Sequence, residues 1–267
     1  MHRCTLTKVI FGATAALLIT AGACRETGAP QFAGPPPLPL LESMVPELSL
    51  FSTTHAGSGT HYDGAATAVA AAVASTTSMM PLSTALYDGA DETDPERQSD
   101  GYHWTYLVSQ GGLTYDADLK GRARGIVDAV WEMRVTSTSA VPPLSDFLLF
   151  SGRSQLDTAK GEWKVFKSST PTTPTAILDL FWFKEGTNSW RVVFKNIETG
   201  AADVDDYLEF QSATDLRRVI YYDKSLDVQS IIEWNTSTNA GYIDSPGYNG
   251  GVKACWNSTF QNTTCQV

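Results

Sequence analysis

The sequence has little of what chemistry usually requires. It has four histidines and none after His103, and four cysteines, of which Cys4 falls in the leader. No G-x-S-x-G, H-E-x-x-H, G-x-G-x-x-G or P-loop pattern occurs, so the common hydrolase, zinc-protease and nucleotide-binding motifs are missing. Basic residues are scarce as well, 19 against 29 acids. A chain so acidic, with no basic cluster, repels phosphate backbones, which disfavours nucleic acid as a partner. No apolar run reaches the roughly 20 residues of a membrane-spanning helix. Composition and motifs thus suggest no catalytic residues, no cofactor and no metal.

What is present begins with an address. Arg3 and Lys8 precede the twelve-residue apolar run Val9 to Thr20, and Ala21-Gly22-Ala23-Cys24 follows. This resembles a bacterial lipobox, in which Cys24 becomes the lipidated first residue and the partner is a membrane. The other reading is an ordinary secretory signal cleaved near Ala23, with Cys24 an incidental thiol. Removing residues 1–23 takes away Arg3 and Lys8 and no acid, which leaves 17 basic against 29 acidic residues, a net charge of −12. Arg25 stands where an inner-membrane retention signal places aspartate, so the outer membrane or cell surface is the expected address. Cys255 and Cys265, ten apart in an exported chain, are expected to form a disulfide, with a metal pair as the other reading.

Residues 24–59 read as a tether, because Gly34-Pro35-Pro36-Pro37-Leu38-Pro39 favours extended polyproline II. Residues 60–267 read as one domain. Its first part, Gly64 to Ser75, is alanine-rich and helical, with Thr60 or Asp63 as cap and a stripe through Val69, Ala72, Val73, Thr76 and Met80. A second short helix is expected after Pro81, ending at Gly89. Asp88 to Asp100 lacks the alternation of a calcium loop and reads as a solvated connector.

From Tyr102 to Asp244 apolar residues alternate in period 2, which places each set on one face of an extended strand. Trp104, Trp131, Trp163, Trp182, Trp190 and Trp234 fall on these faces. About eleven strands are expected, near 102–109, 113–120, 126–137, 146–154, 161–167, 176–184, 189–196, 206–211, 217–223, 227–234 and 239–244. Their short connections specify sequential antiparallel neighbours. The fold expected is mainly β (α+β): a large curved up-and-down meander, half-barrel or barrel, with the alanine-rich helix on its concave face. Asp128, Glu132, Arg134, Lys164, Arg191, Lys195 and Glu233 occupy the opposite, solvated face.

The layout of lipobox, proline tether, helix, tryptophan-bearing meander and Cys255-Trp256…Cys265 tail is similar to that of a group of uncharacterised bacterial exported lipoproteins. That resemblance implies a cell-envelope location and brings no activity. A curved sheet enclosing helices also resembles, in architecture alone, the periplasmic lipoprotein-carrier fold, which holds acyl chains on its concave face. The tryptophan face is therefore the expected apolar binding face, for a hydrophobic small molecule or lipid. The competing expectation is a structural or interaction lipoprotein whose core the helix fills, and an enzyme with a dispersed site is the remotest of the three.

Overall fold

The computed structural model describes residues 34–40, 45–53, 55, 57–76 and 80–265. Three helices come first: α1 (Ser49–Ser52), α2 (Thr60–Thr76) and α3 (Met80–Asp91). Strands follow as β1 (Glu96–Arg97), β2 (Tyr102–Gln110), β3 (Leu113–Arg124), β4 (Asp128–Ser137), β5 (Leu144–Gln155), β6 (Lys160–Phe166) and β7 (Ala176–Gly186). The second half holds β8 (Ser189–Asn196), β9 (Tyr207–Ala213), β10 (Leu216–Asp223), β11 (Val228–Asn235), β12 (Gly241–Asp244), β13 (Ala254–Trp256) and β14 (Asn262–Thr263). All fourteen form one curved antiparallel sheet in chain order, and β1 and β14 do not meet, so the sheet is open. Between half-barrel and barrel, the open form is the one adopted.

Turn chemistry sets this order. Gly111 and Gly112 take φ of 58° and 78°, the left-handed pair that a two-residue hairpin turn needs, and they join β2 to β3 with Gln110 opposite Leu113. Indole size sets the spacing inside the sheet. Trp131 lies opposite Gly121 on one side and Gly152 on the other, Gly152 faces Trp163, Gly161 faces Trp182, and Gly241 lies between Trp234 and Trp256. A Cβ on Gly161 would stand 2.1 Å from the Trp182 ring, so the large ring and the missing side chain are one device.

The inner face carries most of the stability. Each buried indole removes about 150–250 Å² from water, worth roughly 4–6 kcal/mol at about 25 cal/mol per Å² before entropy is charged. The outer face carries cross-strand ion pairs: Lys120–Glu132 at 3.1 Å, Arg134–Asp146 at 3.0 Å, Arg153–Glu162 at 2.8 Å, and Arg218 with Glu233. Such half-exposed pairs contribute about 0–1 kcal/mol each. They make this face a solvated one, unlike the apolar outer band of a membrane barrel.

The helices lie on the concave face. α3 packs on β2 and β3, while α2 spans β8, β9 and β12 to β14. Seventeen residues at 1.5 Å make α2 about 25 Å long, close to the roughly 24 Å from β8 to β13, so it bridges many strands. Its buried face is Tyr62, Ala65, Val69 and Ala72. The stripe is therefore set one turn earlier than expected, and Val73 is only half-buried. The expected continuation through Thr76 and Met80 falls on side chains outside the described residues.

Three local expectations are corrected. Gly89 does not end α3, which runs to Asp91; the glycine serves close packing, since a Cβ there would stand 2.7 Å from the Tyr106 ring. Neither Thr60 nor Asp63 caps α2. Asn262 of the tail does so, its Oδ1 accepting from the His61 N–H at 3.0 Å and its Nδ2 donating to Thr60 Oγ1 at 3.0 Å. The proline segment is not a free tether: Pro36 and Pro39 are buried, Leu38 packs on the core, and the buried Tyr87 hydroxyl donates to the Pro39 carbonyl at 2.7 Å.

Candidate functional site

The tryptophan face is the first place to look for a site. Trp104, Trp131, Trp163, Trp182 and Trp234 are each 5 % exposed or less, and only Trp190, at the rim, is half-exposed. The rings form two groups. In one, Trp104, Trp131, Trp163 and Trp182 follow one another at 5.7, 6.4 and 5.5 Å, with Tyr87 of α3 packed 5.9 Å from Trp163. In the other, Phe51 of α1 meets Trp234 at 4.9 Å, and Tyr62 of α2 meets Trp256 at 5.8 Å. Three of the indole N–H groups are satisfied internally: Trp131 donates to Ser154 Oγ at 2.9 Å, Trp182 to the Thr158 carbonyl at 3.3 Å and Trp256 to the Asn239 carbonyl at 2.7 Å. Side chains of the same chain cover most of this surface. Trp256, the seventh indole, belongs to the same core although it lies beyond the regular alternation.

The densest group of titratable residues lies on the outer face at the β2 edge. His103 Nδ1 is 2.9 and 3.0 Å from the two oxygens of Asp118, and Nε2 is 3.0 Å from Asp100. Lys120 stands 3.6 Å from Asp100 and 3.1 Å from Glu132. Burial pulls the His103 pKa down, but the hydrogen bonds to Asp100 and Asp118 outweigh it and hold it above its usual value. The hydrogen bond from His103 holds Asp100 below the usual carboxylate range. With both nitrogens engaged by carboxylates, the ring has no free lone pair to act as a general base, and no hydroxyl or thiol is among its partners. Here the connector expectation is refined, because Asp100 fastens the loop to the sheet.

Three of the other strand carboxylates pair with cations instead of with each other. Asp179 binds Lys164, Glu209 lies 3.9 Å from Arg191, and Glu233 pairs with Arg218. Among the described residues no group of three or more His, Cys, Asp or Glu is arranged to hold a metal. Asp206 is a buried carboxylate, and it braces a turn by accepting from Tyr221 Oη at 2.6 Å and the Lys224 N–H at 2.8 Å.

A depression of about 480 Å³ lies on the outer face between β4 and β7, walled by Phe181 and Phe183 and rimmed by Asp128, Arg153, Lys160 and Glu162. It holds mixed polar and aromatic chemistry with no nucleophile–base pair, which suits contact rather than catalysis. At the tail, Cys255 and Cys265 are joined at 2.07 Å, as a disulfide rather than a metal pair. Asn235 and Asn257, which begin sequon-like triplets, accept from backbone N–H groups two to four residues on and serve as turn braces. Cys24 lies outside the described residues.

What the fold defines is a class by architecture: an open antiparallel meander with its concave face filled by helices. Comparison of the chain with protein families, curated proteins and solved structures finds no match.

Proposed function

We propose that this protein is a non-catalytic exported lipoprotein of the bacterial cell envelope, anchored through Cys24, whose domain acts by contact with other molecules. Of the two non-catalytic readings, the structural or interaction lipoprotein with a helix-filled core is favoured over one holding a lipid or other hydrophobic ligand on the concave face. One observation carries that preference: five of the six tryptophans expected to receive a ligand are 5 % exposed or less, with Phe51, Tyr62 and Tyr87 packed among them and Trp256. A ligand there would have to displace a helix and re-expose indoles worth several kcal/mol each. His103, held by two carboxylates, supports the non-catalytic part of the reading.

Native mass spectrometry after bacterial expression with the leader intact tests both halves. The expected mass is that of the chain from Cys24 plus its covalent acyl groups. A stoichiometric, non-covalent lipid on top of that mass would overturn the filled core. Replacing Cys24→Ser should move the protein from the detergent phase to the aqueous phase, and unchanged partitioning would rule out the anchor.

A further inference from the structure

We propose that the free edge of β2 pairs with the same edge of a second copy, joining two sheets about a two-fold axis through Leu107. The observation behind it is an edge without the usual guards. Among the described residues β1 pairs with β2 only at Tyr102 and His103, which leaves the backbone from Trp104 to Gln110 as the sheet's margin. That stretch, WTYLVSQ, has no charged residue and no proline, and its register with β3 runs without a bulge. Native sheets blunt such edges with lysine, proline, bulges or short strands. The opposite margin follows that rule: β14 is two residues long and lies beside the Cys255–Cys265 bond.

The register makes this edge self-complementary, and a second copy is the occupant proposed. The two-residue turn closes on Gln110 and Leu113 as a hydrogen-bonded pair, so even-numbered residues of β2 turn their N–H and C=O groups to β3. Odd-numbered Thr105, Leu107 and Ser109 therefore turn theirs outward, and among the described residues no backbone partner meets them. Leu107 is both the centre of the free stretch and the middle of these three. An antiparallel copy then places Leu107 opposite Leu107 and Thr105 opposite Ser109, and every outward N–H meets an outward C=O. The contact is isologous and closed, so it stops at two copies. On the outer face it pairs apolar with apolar and hydroxyl with hydroxyl. Leu107, 74 % exposed, would be covered by its own counterpart. Because each exported chain carries a net charge of −12 (17 basic against 29 acidic residues) while the paired stretch carries none, added salt should strengthen the association.

The test is sedimentation equilibrium of the exported full chain carrying Cys24→Ser, which keeps it in solution. A monomer–dimer equilibrium with a Kd on the order of micromolar is expected, since an edge contact is small. Leu107→Lys should weaken it at least tenfold. Thr105→Pro should do the same, because it removes an outward N–H and no ladder bond to β3. Leu226→Lys, at an equally exposed leucine in the β10–β11 turn, should leave it unchanged. A chain that stays monomeric at about 200 µM would overturn the proposal. So would a dimer that both edge variants leave intact, or one that Leu226→Lys weakens as much.

Discussion

His103 and Asp118 sit diagonally across β2 and β3, the imidazole Nδ1 almost equidistant from both carboxylate oxygens at 2.9 and 3.0 Å. Asp100 completes the clamp from the loop at 3.0 Å, and so ties the β1–β2 connection to the sheet.

That clamp makes stability depend on pH in a stated direction. The His103 pKa is raised above 6.5, so its contribution is fully present below pH 6.5 and fades as pH rises through the folded value. The Asp100 pKa is lowered below 3.8, so its contribution is present above 3.8 and fades only as pH falls through the lower folded value. Both operate between about pH 4 and 6.5. His103→Asn should therefore lower Tm more at pH 5 than at pH 9, read by thermal melts across that range. Lys120, Glu132 and the cross-strand Glu96 share the region, so equal penalties at the two pH values would place the effect in packing instead.

The pairing of glycines with tryptophans predicts steep local intolerance. A Cβ at Gly152 would lie 1.9 Å from the Glu162 carbonyl oxygen, a backbone atom that cannot step aside. Gly152→Ala should cost about 1–3 kcal/mol or more in chemical denaturation, as overpacking does. Gly247→Ala, where no atom lies within 4 Å, should stay within about 0.5 kcal/mol of wild type.

Filling of the concave face by α2 predicts a difference between two valines four apart. Val69 is 3 % exposed and Val73 half-buried. Val69→Ala should cost about 1–3 kcal/mol through lost contacts and a residual cavity, and Val73→Ala about half that or less. If α2 were a loose lid, both would melt within about 0.5 kcal/mol of wild type.

The tail should stabilise the start of α2 although some 200 residues separate them. Asn262→Ala removes both the acceptor for His61 N–H and the donor to Thr60, a loss of about 0.5–2 kcal/mol. Replacing Cys255 and Cys265 by serine releases a ten-residue loop, worth at most about 3 kcal/mol by chain entropy. Hydrogen exchange of the first turn of α2 should rise in both variants, and an unchanged rate would mean the tail is not its cap.

Much of the architecture is legible in the sequence. Eleven strands lie close to where the alternation of Tyr102 to Asp244 puts them, because period 2 and glycine turns are local properties. β1, β13 and β14 were not legible: two or three residues hold no periodicity, and each exists only because a neighbouring strand is there to pair with. Glycine punctuation misled at Gly89, where the demand came from the Tyr106 ring of another element.

The sequence by itself determined the sheet, its order, its two faces and the disulfide partners, since alternation, turn residues and cysteine spacing act over a few neighbours. Only the tertiary structure decided that the sheet stays open, that Asn262 caps α2, and that Asp100 and Asp118 share one histidine. It also decided that Phe51, Tyr62 and Tyr87 cover the tryptophans. Those outcomes depend on which distant surfaces exclude water together, and contacts between residues tens to hundreds of positions apart leave no period along the chain to read.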